Sequence, residues 1–507
     1  MAEVTLVVGP EARGLLAELD GFFSGRGVKA YVVGGFLRDA LLGRGSRDLD
    51  ISLAGDPLVL GRELADAHGG HCFPLAEEQR VARVLLPQRA LHIDLMPLRA
   101  EIEADLGERD YTIDAMAASL SGAASGEATV IDPTGGLNDL RDRLLRVIRE
   151  DAFRQDALRP LRGARLATEL DFTLEPGTVE LIRKHASSLP QVAVERQRDE
   201  LMRIMVTPRA GPGMRLLDDL GLLERLLPEI TDTRGVEQPK EHYWDVFDHC
   251  LETVRNLDIL LGEEEPGDRH WRNLWRELWG QLDWWTEARG YFREELLAER
   301  PRLALLKLAG LLHDVAKPET KTFDETGRMR FFGHADVGAD KASRILRRFH
   351  FSAREVALVQ TMVKAHLRPV QMGQQGPPTR RALYRYFRDC GSAAIETLFL
   401  SLADHLGTVG PRVSASDWRQ HVALVNYIVV KRFQEEESIS PPKLLGGEEL
   451  MAELKLSPGP LIGRLLETLR EALAAGEIST REEALALARS SLARQTSESS
   501  PARSDKV

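Results

Sequence analysis

The sequence is poor in cysteine and has no long apolar run. Its 507 residues hold three cysteines, Cys72, Cys250 and Cys390, widely separated and without metal-ligand spacing. That speaks against a disulfide framework and for the reduced thiols of a cytoplasmic protein. No stretch reaches the roughly 18–20 apolar residues of a membrane span, so no membrane partner is expected. The opening "MAEVTLVVGPEARGLLAELDG" has no basic leader ahead of an apolar core, so no secretory signal is expected either. An excess of positive charge is missing too. The formal net charge of −11 argues weakly against a nucleic-acid partner, although such binding needs only a local basic face.

What is present is an ordinary globular composition, 43% hydrophobic and 29% charged. The chain is too long for one core and predicts roughly three or four domains. Residues 11–24 read as a short helix. From Lys29 to about Ile148, β-rich runs ("KAYVVGG", "LDISLA", "ARVLLP", "LHIDLMPL", "ATVIDP") alternate with helical stretches, the mark of a mixed α/β domain. Beyond it apolar residues recur at helical spacing almost to the end. Breaks fall at "TPRAGPG", "TDTRGVEQPKE", "GEEEPGD" and "SISPPKLLGG". These predict domains over 1–148, 149–238, 239–412 and 413–491, with a polar, disordered tail over 492–507.

"YVVGGFLRDALLGRGSRDLDIS" draws attention first. Two glycines let backbone approach a ligand, the helix that follows points free amides at an anion, and Arg38 can pair with phosphate oxygens. Asp48 and Asp50 are separated by one residue, which in a strand puts both carboxylates on one side. Mg²⁺ is the usual neutraliser of such a pair, and two ions beside a triphosphate suit nucleotidyl transfer. Asp94, in another candidate strand, is a third candidate ligand. Taken singly, Gly-Gly is a tight turn and "DLD" a solvated edge strand.

Together, "GGFLRDALLG" and "RDLDIS" resemble the signature of the bacterial-type tRNA nucleotidyltransferase and poly(A) polymerase family. So do "DLGERDYTIDAMA", "VIDPTGGLNDLRDRLLRVI", "QDALRPLRGARLATELDFTLEP" and "ERQRDELMRIM", in the same order. The resemblance implies an α+β protein: a polymerase-β-like head, then a mainly α-helical neck and body. It implies Mg²⁺ on Asp48 and Asp50, with Asp94 also in the catalytic set. Gly34, Gly35, Arg38 and Asp39 would lie at the triphosphate, and Arg109 and Asp110 at the ribose. The implied activity is addition of C and A from CTP and ATP to tRNA 3′ ends. Addition of A only, of CC only, or of poly(A) are the alternatives within the class.

Asp156, Arg159, Arg162 and Arg165 follow at three-residue steps, the spacing of one helical face. A carboxylate that accepts beside a guanidinium that donates matches the amino group and ring nitrogen shared by cytosine and adenine. The resemblance assigns base selection to Asp156 and Arg159, with Arg162 and Arg165 serving phosphate or base. Gln155, Ala157, Pro160, Glu108 and Asp114 depart from the family pattern.

A second cluster is spread over helical stretches: His249, His313 with Asp314, His334, His366 and Asp404. Imidazoles with carboxylates hold divalent metals. The adjacent His-Asp pair in an apolar helix, with the others in order, resembles the HD phosphohydrolase superfamily over about residues 240–410. That implies a helical HD domain using a divalent ion of unspecified identity on a phosphoester, with Lys317 near phosphate. A hydrolase whose head has become a binding module is the reading of another class.

Trp271, Trp275 and Trp279 recur every four residues, a stripe better suited to core packing than to base stacking. Residues 441–489 resemble the family's terminal tRNA-contacting helices. Basic stretches at 342–354 and 378–388 are candidates for a local positive surface.

Overall fold

Burial alternates along "DLDISL": Leu49 and Ile51 are fully buried, while Asp48 and Asp50 between them remain partly exposed. This period of two makes the segment a strand with one hydrophobic face. The computed structural model describes residues 2–76, 80–87, 89, 91–98, 100–262, 266–281, 285–297, 299–434 and 443–498. Its first eight strands are β1 (Ala2–Thr5), β2 (Ala30–Val33), β3 (Asp48–Leu53), β4 (His71–Ala76), β5 (Val81–Leu85), β6 (His92–Pro97), β7 (Ala117–Ser119) and β8 (Glu127–Val130).

Six of them form one sheet in the order β4-β5-β6-β3-β2-β7. All its pairings are antiparallel except β3 with β6, which runs parallel and sets Asp50 directly opposite Asp94. Strands β1 and β8 pair separately. The five runs expected to be strands are strands, with β8 lying outside the main sheet. Strands β1, β4 and β7 were not expected. Strand β4 contains Pro74, and it sits at the sheet edge, where a missing amide donor is tolerated. Helix Pro57–His68 follows local rules: the Asp56 carboxylate caps Leu58 N, proline opens the first turn, and Gly69 ends it at φ 66°.

The chain forms two compact units. The first comprises Met1–Glu200 with Leu216–Leu226, and the second Leu201–Arg215 with Leu227–Val507. Beyond the head, the first unit is helical and includes Arg159–Leu170 and Pro176–His185.

In the second unit, helix Arg302–Leu312 is buried at every position but Leu303. It packs on helices Val246–Leu260, Ala353–Ala365 and Ala394–Val409. Its one lysine, Lys307, is neutralised by Asp258 at 2.7 Å. Of the tryptophan stripe, Trp279 is core, while Trp271 and Trp275 are partly buried. Trp279 is buried against Phe399 and donates to Leu260 O, and Trp275 donates to Gly262 O. Helices Gly447–Leu454, Pro460–Ala475 and Arg481–Glu498 share their own apolar cluster around Leu450, Leu465 and Leu469. The last helix runs past Ser491, where the polar tail was expected to begin, and residues 499–507 lie outside the described residues.

The basic stretch 378–388 is not an open positive face. Arg381, Arg385 and Arg388 are paired with Glu477, Glu471 and Glu467 at 2.6, 2.5 and 2.7 Å. Among the described residues, no helix is long and apolar enough to cross a membrane.

Helix Arg159–Leu170 is seated through Gly163, where a Cβ would collide with the buried Tyr111 hydroxyl that donates to Arg159 O at 2.7 Å. Gly163→Ala is therefore expected to cost about 1–3 kcal/mol by overpacking. Urea unfolding of the whole chain measures this, and an unchanged midpoint would contradict the packing.

Candidate functional site

In the head, β2 leads directly into helix Gly34–Leu41. Gly34 has φ +65°, and a Cβ there would lie 3.1 Å from both Arg109 Nη1 and Asp50 Oδ2. Glycine is needed both for the backbone angle and for the approach. Asp48, Asp50 and Asp94 share one edge of the β3–β6 pair. Burial and the neighbouring Asp94 raise the Asp50 carboxyl to about 6. The three acids suit a divalent cation in donor type and number. Arg83 of β5 lies among them, with Nε and Nη2 on the two Asp94 oxygens at 2.7 and 2.6 Å and Nη2 on Asp48 Oδ1 at 3.2 Å. No signal in the sequence marked this arginine, since its position opposite Asp94 is a matter of strand pairing.

The structure assigns different surroundings to several predicted nucleotide contacts. Arg38 is buried, with Nε on Asp39 at 2.9 Å and Nη1 on Asp114 at 2.7 Å, while Nη2 lies beside Gly35. Asp39 thus holds one edge of the Arg38 guanidinium. Asp114, which stands where the family has asparagine, supplies the second anion. Asp110 is buried, with Oδ1 capping Tyr111 N and Oδ2 3.4 Å from Arg162 Nε. Despite burial, Arg162 and Arg159 hold the Asp110 carboxyl below the usual carboxylate range. Asp110 Oδ2 and Arg109 Nε are buried without a hydrogen-bond partner.

Asp156 is not on one helix face with the arginines. Helix Ala152–Gln155 ends at Asp156, whose backbone is extended, and the next helix starts at Arg159. The Asp156 carboxylate accepts from Leu158 N at 3.0 Å, an Asx-type turn that opens that helix. Pro160 consequently falls in the first turn, where no donor is required. Asp156 also binds Arg196 at 2.6 Å, and Arg159 reaches Gln155 Oε1 and the Glu108 carbonyl, both at 3.3 Å. Two of the departures from the family pattern therefore touch Arg159. Arg165 is a structural residue: it is buried, with Glu200 and Glu169 each at 2.6 Å. These two contacts occupy the guanidinium that was expected to serve phosphate or base.

In the second unit the predicted ligands converge. His249 lies in helix Val246–Leu260, His313 and Asp314 follow Arg302–Leu312, His334 begins His334–Arg348, His366 ends Ala353–Ala365, and Asp404 lies in Ala394–Val409. Asp314 bridges two groups. Its Oδ2 is 3.3 Å from His249 Nε2 and 3.2 Å from His313 Nε2, and its Oδ1 is 3.4 Å from His334 Nε2 and 3.9 Å from His366 Nε2. Asp404 Oδ1 closes the first group at 3.1 Å from His249. Lys317 Nζ also holds Asp314 Oδ2, at 2.5 Å.

The Nδ1 atoms of His313, His334 and His366 lie 2.8, 2.7 and 2.6 Å from the carbonyls of Gly310, Phe331 and Val363. Donation to those carbonyls aims each Nε2 inward, as in metal-ligating histidines. Each of the sets His249, His313, Asp314 and Asp314, His334, His366 has ligand atoms within 4.8 Å of one another. Asp314 Oδ1 and His249 Nδ1 are buried without hydrogen bonds. Donor types, spacing and unmet valence fit one or two divalent ions.

Three family models match the chain: "Poly A polymerase head domain" over residues 30–146, "Probable RNA and SrmB- binding site of polymerase A" over 171–233, and "HD domain" over 246–408. Together with the fold they define the class, a nucleotidyltransferase head joined through an RNA-binding body to an HD domain. An A-adding tRNA nucleotidyltransferase of Deinococcus radiodurans is 36% identical over 90% of this chain and 94% of its own. A CC-adding tRNA nucleotidyltransferase of Thermus thermophilus is 36% identical over 90% and 92%. The fold is like that of the Thermotoga maritima CCA-adding enzyme complexed with tRNA, with a TM-score of 0.57, 20% identity and coverage of 97% of this chain and 100% of that one. The chain belongs to the tRNA nucleotidyltransferase and poly(A) polymerase family.

Burial depresses the His313 imidazole, but Asp314 and Asp404 outweigh it and hold it up to about 10. Burial and the charge of His313 push His366 down to about 4. At neutral pH His313 is thus protonated and His366 is not, so ligation through His313 Nε2 must expel a proton. Mn²⁺ binding at pH 7.5 is expected to release about one proton and to strengthen as pH rises toward 10. Calorimetry in buffers of different ionisation enthalpy reads this, and binding without proton release would contradict it.

Proposed function

We propose that this protein is a template-independent nucleotidyltransferase that uses Mg²⁺ to add C and A residues from CTP and ATP to the 3′ end of tRNA, in the cytoplasm. The carrying observation is the in-register trio Asp48, Asp50 and Asp94, set against a glycine-led helix start and the arginines Arg38 and Arg109. The domain limits 1–148, 149–238, 239–412 and 413–491 belong to the same reading.

Divalent ions on these carboxylates supply positive charge for the triphosphate and lower the pKa of the attacking 3′ hydroxyl. The chain's own residues do the rest. Gly34 and Gly35 keep the space beside Asp50 free of Cβ atoms, and Arg38 presents Nη2 there while Asp39 and Asp114 fix its other edges. Arg109 Nε and Asp110 Oδ2, a donor and an acceptor with unmet valence, suit the ribose hydroxyls. Asp156 and Arg159 stand three residues apart around a helix start and can meet the shared edge of cytosine and adenine once Asp156 leaves Arg196. The HD cluster would hold a divalent ion on His249, His313, Asp314, His334 and His366 and would then suit hydrolysis of a phosphoester at an RNA end, with Lys317 near the phosphate.

A second reading, addition of only part of the CCA sequence, is favoured by the relatives that span 90% of the chain, which are A-adding and CC-adding enzymes. Incubating the protein with Mg²⁺, single nucleotides and tRNAs ending before, within and after CCA separates the two by product length. Asp48→Ala is expected to lower transfer by about a thousandfold, near 4 kcal/mol of transition-state stabilisation. Asp156→Ala is expected to keep polymerisation while losing roughly 1–3 kcal/mol of discrimination against U and G. Unchanged selectivity in a four-nucleotide assay would remove Asp156 from base choice.

A further inference from the structure

Strand β5 pairs antiparallel with β6, and the register sets Arg83 directly across from Asp94. The guanidinium reaches both Asp94 oxygens, at 2.7 and 2.6 Å, in the two-pronged geometry that makes arginine–carboxylate pairs strong. Its Nη2 also reaches Asp48 Oδ1 at 3.2 Å, and His92 Nδ1 lies 3.3 Å from that same oxygen. Asp94 is 7% exposed, so it is nearly shut off from water. Every oxygen of Asp94 and one of Asp48 is thereby engaged by a side chain carrying its own positive charge. The contrast with the second unit is direct. Among the described residues, the ligand sets that converge within 4.8 Å are both in the HD cluster, and the head trio is not one of them.

Strand pairing holds the backbones of residues 83, 94 and 48 in place, so only side chains can rearrange. An acidic trio without a cation is costly in a partly buried site. An arginine on a neighbouring strand neutralises it, at the expense of occupying the donors that a metal ion needs. Guanidinium groups bind phosphate in the same forked geometry as carboxylate. An incoming triphosphate therefore offers Arg83 an exchange partner.

Resting on the nucleotidyltransferase reading, we propose that Arg83 is an internal counter-ion that competes with the divalent cation for Asp94 and Asp48. It releases them when a nucleotide triphosphate takes over its guanidinium. Arg83 is on this account a positioning residue, coupling metal binding in the head to the presence of nucleotide.

The test is Mn²⁺ binding by calorimetry to the full chain carrying His313→Asn, which weakens the HD cluster, with and without a non-hydrolysable CTP or ATP analogue. With Arg83 present, Mn²⁺ is expected to bind the head at least about tenfold more tightly when the analogue is added. Arg83→Gln is expected to bind Mn²⁺ about tenfold more tightly without nucleotide and to lose most of that dependence. Arg83→Lys retains the charge but not the fork, and is expected to bind Mn²⁺ more tightly than the parent but less tightly than the glutamine variant; it also serves where the latter does not fold. Unchanged or weaker Mn²⁺ binding in Arg83→Gln would overturn the proposal, as would a lysine variant indistinguishable from the parent. Mn²⁺ binding to the head that Asp48→Asn leaves intact would overturn the nucleotidyltransferase reading itself, and the proposal with it.

Discussion

Parallel pairing of β3 with β6 is the constraint on which the head depends. It places Asp50 beside Asp94 on adjacent strands, with Asp48 two residues away on the same side. Carboxylates gathered in a poorly hydrated cleft repel one another, and each carries a desolvation cost of several kcal/mol unless a cation lies against it. The surrounding arginines answer that constraint: Arg83 lies across Asp94 and Asp48, and Arg109 comes close to Asp50 beside Gly34. Burial and the neighbouring Asp94 nonetheless raise the Asp50 carboxyl, against the pull of Arg109. A site so arranged favours a divalent cation and an anionic partner arriving together.

The HD cluster meets the same difficulty with different chemistry. Asp314 and Asp404 are carboxylates among imidazoles, and imidazole can carry charge or lose it. His313 is held protonated by its acidic neighbours, while burial and the charge of His313 keep His366 neutral. Backbone carbonyls fix three of the rings by their Nδ1 atoms, so the inward nitrogens are set before any ion arrives. Asp314, with one oxygen toward each histidine pair, ties the two halves together.

Much of this was legible in the linear chain, because the signals were local. Asp48 and Asp50 follow the two-residue period of a strand, and Gly34 opens a helix whose first residue takes a positive φ. The tryptophan stripe reads correctly as packing, since its spacing matches one face of a helix. Where reasoning from spacing failed, a side chain had reached outside its own segment or capped its own turn. Three-residue steps suggested one helical face for Asp156 through Arg165. Instead Asp156 turns the chain through Leu158 N, and Arg165 is claimed by Glu200, 35 residues away. The arginines of 378–388 looked like a free basic face, and they are met by glutamates in and just after a helix some 80 to 100 positions later.

Sequence alone therefore determined the kinds of chemistry on offer: a carboxylate pair on a strand, a glycine-led helix start, and histidines with aspartates at helix ends. Those follow from backbone periodicity and side-chain chemistry, which act within a few residues. Only the tertiary structure decided which charges meet. The register of β5 against β6 brought Arg83 onto Asp94, and the packing of five helix segments made Asp314 a bridge. Both outcomes depend on contacts between residues far apart in the chain, where no local period carries information.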